Sequence, residues 1–177
     1  MMKNLTIFLI LITSIYSYAQ ADVQKYQTSI GAVFERANLP VFGDGWKSPD
    51  GTIWGGFSGD TTNLGPDSHG IILDSDAIQT CLKLNGTLPS AQDYQRFSTY
   101  FETDSFDGFA SARGRKDLYS MFPDMLDSAS NYRWFWTTTL PVPYNLSNAA
   151  ILNTYKISTA GYVGDRSQPL SVRCITH

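Results

Sequence analysis

The feature that most narrows what this chain can fold into is a pair of cysteines. Cys81 and Cys174 are the only two in 177 residues, and they follow what reads as an export signal. Lys3 precedes an apolar run from Leu5 to Ile15, and small residues come next, which is the order of a secretory leader. Ala19-Gln20-Ala21 offers cleavage after Ala21, and Ser17-Tyr18-Ala19 offers it just before Gln20. The apolar stretch is shorter than the ~20 residues that a membrane span needs, and neither cleavage position has a Cys beside it to carry a lipid. In an oxidising compartment two cysteines most simply form one bridge, the alternative being two separate buried thiols. The expectation is a secreted, periplasmic or cell-surface protein, closed by Cys81–Cys174 and not inserted in a membrane once the leader is removed.

The chain then divides into a leader over 1–21, an amphipathic helix over 22–40 and a globular domain over 41–177. The helix is read from Val23, Tyr26, Ile30, Val33, Phe34 and Ala37, which recur at helical spacing with Asp22 before them and Pro40 after. Ser48-Pro49-Asp50-Gly51 is a turn by its chemistry, Thr52 to Trp54 a short strand, and Gly59 to Gly70 a loop. Asp74 or Ser75 caps a helix through Leu84 that Gly86 can end. Ser90-Ala91-Gln92-Asp93 opens a second, as a capping box, with Ala91, Tyr94, Phe97 and Phe101 on one face. Thr103 to Gly114 reads as a loop and Asp117 to Met121 as a helical turn. Strand-like segments follow at Tyr132–Thr138, Ala149–Ile157 and Leu170–Ile175, separated by Pro and Gly. This order implies an α+β fold with helices flanking an antiparallel sheet.

Four short motifs in order carry a resemblance. Asp50-Gly51-Thr52-Ile53-Trp54 resembles a "TGLIW" strand, and Asn85-Gly86-Thr87-Leu88-Pro89-Ser90 resembles "GG-x-RLPT" before a helix. Trp134 to Thr139 resembles "WFWSSS", and Ser171-Val172-Arg173-Cys174-Ile175 resembles a closing "AVRCV". Together they are similar to the C-terminal domain of the Legionella collagen-like adhesin, also called domain of unknown function 1566, over roughly Pro49 to Ile175. The resemblance implies a C-type-lectin-like fold: two helices flank a small antiparallel sheet with long loops, and a Cys of the first helix is bridged to one on the last strand. Cys81 and Cys174 would take those places. The calcium-ligand motifs of true lectins (Glu-Pro-Asn or Gln-Pro-Asp with Trp-Asn-Asp) are absent, and so is the extra reactive cysteine pair of the related oxidases.

Chemistry-bearing residues are sparse. His69 and the terminal His177 are the only histidines, and no Gly-x-Ser-x-Gly elbow is present, so a Ser-His-Asp arrangement has little support. Glu35 and Glu102 are the only glutamates, and nothing in their positions makes them a glycosidase pair. Asp60, Asp67, Asp74 and Asp76 match no calcium loop. No catalytic residue, metal or cofactor is therefore expected, and the net charge of −3 argues against a nucleic-acid partner.

Two binding features remain. Arg113, Arg115 and Lys116 form a basic cluster that could grip an anion, or could be a solvated turn before a helix. Tyr132, Trp134 and Trp136 fall on one face of a strand, either as a platform for a sugar ring or protein partner or as core beneath the sheet. The expected function is an adhesin-like binding module that recognises a glycan or a surface protein through its loops, without metal. The alternative is a structural, self-assembling surface component that oligomerises through its N-terminal helix.

Overall fold

The computed structural model describes residues 23–39, 43–61, 75–104, 110–125, 134–139, 148–153, 163–165 and 170–177. The architecture is α+β. Eight strands run along the chain as β1 (Lys25–Gln27), β2 (Val33–Leu39), β3 (Gly43–Lys47), β4 (Ile53–Thr61), β5 (Trp134–Trp136), β6 (Asn148–Asn153), β7 (Val163–Asp165) and β8 (Leu170–Thr176). Three helices lie between β4 and β5, α1 (Asp76–Lys83), α2 (Ala91–Ser98) and α3 (Ala112–Met121), followed by a 3-10 turn at Pro123–Met125. The sheet order is β1-β2-β3-β4-β8-β5-β6-β7. It is mixed rather than wholly antiparallel, because β8 returns to the centre and pairs in parallel with β5 through Phe135 and Ser171. The described helices number three where two were expected.

Local chemistry explains where the helices begin and end. Ser75 caps α1 by accepting from the Ile78 amide at 3.2 Å. Asn85, with φ of 57°, ends that helix: its amide donates to Leu82 and that of Gly86 to Cys81, so Asn85 rather than Gly86 takes the left-handed position. At α2 the expected capping box is present. The Asp93 amide donates to Ser90 Oγ at 3.1 Å while the Ser90 amide donates to the Asp93 carboxylate at 2.7 Å. The capping face then carries Tyr94, Phe97 and Phe101 into the core.

The helix expected over 22–40 is instead the hairpin of β1 and β2. Of its six-residue stripe only Phe34 is buried, while Val23, Ile30 and Val33 stay 51%, 49% and 40% exposed. Two facts override the helical spacing. Gly31 adopts φ of +88° in a turn that Thr28 closes from both sides, a conformation that interrupts a helix. Val33-Phe34-Glu35 then alternates out, in, out, and the sheet rewards that period by burying Phe34 against Phe97, Tyr100 and Phe101. Asp117 of α3 secures the hairpin from below, accepting from the Tyr26 hydroxyl at 2.9 Å and from the Ser29 amide and hydroxyl at 2.8 and 2.7 Å.

The sheet separates two cores. On one face Trp46, Trp54, Phe34, Phe135 and Ile175 pack against α2 and α3. On the other, α1 lies over Val172, Cys174 and Trp136. The Cys81–Cys174 disulfide crosses this second layer with a Cα–Cα distance of 5.3 Å and both cysteines wholly buried. β8 is therefore buried on both faces. Its Arg173, on the face opposite Cys174, has no exposed surface; its two terminal nitrogens pair with Asp124 and the Gly55 carbonyl, while Nε has no partner among the described residues.

Candidate functional site

The basic cluster is divided by the helix that carries it. Arg113, Arg115 and Lys116 lie in the first turns of α3 rather than in a loop. Successive helical residues fan out by about 100°, so Gly114 and Asp117 turn inward while Arg113 and Lys116 reach solvent. Arg115 folds back and donates from Nη1 to the Ala110 carbonyl at 2.6 Å. The helix N-terminus is also occupied. Ser111 caps it by accepting from the Gly114 amide at 3.0 Å, and its hydroxyl donates to the Glu102 carboxylate at 2.7 Å. Arg113 and Lys116, three residues apart, therefore share a solvent-facing side, while Arg115 is held at the Ala110 carbonyl.

The aromatic strand contributes mainly core. Trp136 is wholly buried, packed with Cys81, Cys174, Val172 and Leu88, and offers no surface to a ligand. Its place in the binding set is corrected accordingly: β5 is covered on both faces, Phe135 facing one core and Trp136 the other. Trp134 is partly exposed against the α1 side. Tyr132 lies outside the described residues, as do His69, Asp67 and Asp74. Asp76 is exposed in the first turn of α1 and acts there as a favourable charge at the helix start. Among the described residues no three His, Cys, Asp or Glu side chains gather in a way that could hold a metal ion.

The concave, charged surface lies where the helix was expected. Register partners Lys25, Glu35, Lys47, Ile53 and Thr176 form a row across β1, β2, β3, β4 and β8 on the α1 side of the sheet. α1 covers the β8 end of that face, and among the described residues no element covers the end made by β1 to β3. Val33, Glu35, Lys47, Ser48 and Pro49 there line an open cavity of about 250 Å³. Lys25 Nζ lies 3.1 Å from a Glu35 carboxylate oxygen. Lys47 is exposed and has no ion-pair partner among the described residues.

The rim of the cavity is held by the β3–β4 turn. The Ser48 amide donates to Thr52 O and the Gly51 amide to Ser48 O, both at 2.9 Å. Ser48 Oγ lies 2.5 Å from Asp50 Oδ1, which also accepts from the Thr52 amide at 3.1 Å, and Arg96 of α2 stands 3.7 Å from the other oxygen. Burial by itself would raise the Asp50 carboxyl, but the Ser48 and Thr52 hydrogen bonds and the Arg96 charge hold it below its ordinary value. Sequence reading missed this site because Lys25, Glu35 and Lys47 meet only once the strand register is known.

Compared with protein-family models, curated proteins and solved structures, the chain matches none of them.

Proposed function

We propose that this chain is an exported, adhesin-like binding module of C-type-lectin-like architecture that recognises a glycan on the open face of its sheet, without metal. One observation carries the reading. α1 closes the β8 end of a sheet face, whereas the β1 to β3 end of the same face carries an open cavity with unlike charges and apolar walls. The cavity is smaller and more polar than the usual apolar small-molecule pocket, a form suited to a hydrated, hydroxyl-rich ligand. The buried charged and polar groups elsewhere support the fold instead: Arg173 with Asp124, Asp117 with the β1–β2 hairpin, Ser111 with the α3 start. The self-assembly reading rested on an N-terminal helix, and a hairpin occupies that segment.

The test is a glycan-array screen of the purified protein with calcium and with chelator. Binding that survives chelation supports the reading. Calcium-dependent binding overturns the metal-free part, and absence of any glycan binding overturns the glycan, leaving a surface protein as the partner to be sought.

A further inference from the structure

The cavity on the open face restricts the ligand further. We propose that it takes a single acidic sugar residue, a uronate or sialate unit of a glycan, with Lys47 holding the sugar carboxylate. This deepens the binding-module reading and rests on it.

The other charges around the cavity are already matched: Glu35 with Lys25 at 3.1 Å and Asp50 with Arg96 at 3.7 Å. Lys47 is left over, so the cavity presents one uncompensated positive charge on a chain whose net charge is −3. A ligand entering there gains most from one negative group. Lys47 is an ammonium on a flexible stem with three donors, suited to a single carboxylate rather than to a bidentate grip.

The remaining lining defines the rest of the ligand. Ser48 Oγ is engaged by Asp50 and the Thr52 carbonyl and has no hydrogen left to donate. Glu35 shares only part of its carboxylate with Lys25 and, acting only as an acceptor, suits hydroxyl groups. Val33 and Pro49 supply apolar walls for the C–H face of a ring. A carboxylate, hydroxyls and an apolar ring face together describe an acidic pyranose. The volume of about 250 Å³ admits one such unit, and the open mouth lets the rest of a glycan continue into solvent.

The experiment is a titration of the full protein with glucuronate, glucose and acetate, followed by amide chemical shifts, with Lys47→Gln as the variant. Glucuronate should perturb residues 33–35 and 47–51, and bind about tenfold more tightly than glucose, the effect of one charge-assisted hydrogen bond. Lys47→Gln, an exposed change that spares the fold, should remove that tenfold preference. Acetate as effective as glucuronate would overturn the proposal, since the ring would then contribute nothing. An acidic glycan that still binds Lys47→Gln with its preference intact would overturn the site while leaving the binding module standing. No glycan binding of any kind would overturn both.

Discussion

Arg173 and Asp124 form an ion pair in which the guanidinium has no exposed surface and the carboxylate side chain retains 28% of its own. The guanidinium also lies 4.8 Å from the Phe122 ring centre and 5.4 Å from that of Phe135. Burial pulls Arg173 down to about 10, opposed by the nearby Tyr94 hydroxyl, so it stays charged at neutral pH. Removing one member of a buried pair strands the other charge at a cost of about 3–5 kcal/mol. Asp124→Ala should approach the lower end of that range in urea unfolding, because Gly55 still accepts from the guanidinium. Adding Arg173→Met should recover most of the loss, since an apolar side chain in that site needs no partner. An unchanged Asp124→Ala midpoint would show that the pair contributes nothing.

Gly114 carries a second prediction. A Cβ built there would run into the Glu102 carbonyl oxygen and lie 3.1 Å from its carbonyl carbon. This is backbone, fixed by the Ser111 amide donating to Glu102 O at 2.9 Å, and it cannot swing aside as a side chain would. Alanine favours a helix interior over glycine by about 1 kcal/mol. Here the overlap should prevail, and Gly114→Ala should destabilise by about 1–3 kcal/mol. Chemical unfolding measures the sign: a more stable variant would mean that α3 can shift away from Glu102.

What the sequence disclosed was local or covalent. Ser90 and Asp93 announced their capping box because both partners lie within one turn, and the two cysteines left one bridge to form. Residues 22–40 misled because Val23, Tyr26, Ile30, Val33 and Phe34 satisfy helical spacing by coincidence, while Gly31 and the Val33-Phe34-Glu35 alternation speak for a hairpin. Arg113, Arg115 and Lys116 look contiguous in the chain, but on the helix only Arg113 and Lys116 share a side, and Arg115 folds back to Ala110. The Lys25–Glu35–Lys47 row requires the register of two successive hairpins, which a segment read as a helix conceals.

The disulfide yields a third prediction. Cys81 and Cys174 are 93 residues apart, and closing a loop of that size restricts the unfolded chain by about 4–5 kcal/mol in the chain-entropy description. The paired change Cys81→Ser with Cys174→Ser should lower stability by about 2–5 kcal/mol, read as a fall in Tm of about 2–4 °C per kcal/mol. The unreduced protein, unfolded in urea, should accept no thiol label. Labelling at both positions would disprove the bridge.

Asp50 gives a pH signature that tests whether the cavity rim is built as described. Its folded-state carboxyl sits below the ordinary value of 3.8, so the ionised form is favoured by folding. Linkage then fixes the sign. The stabilisation is fully present above the unfolded-state value and is lost as pH falls below 3.8 through the folded-state value, where the native carboxylate takes up its proton. Asp50→Asn removes the charge facing Arg96 but keeps an oxygen that can accept from Ser48 and the Thr52 amide. The variant should therefore melt below the parent at neutral pH, and the gap should narrow as the solution is acidified past the ordinary aspartate value. A gap that stays constant across this range would mean that folding does not lower the Asp50 carboxyl, and that neither its hydrogen bonds nor Arg96 favour the ionised form.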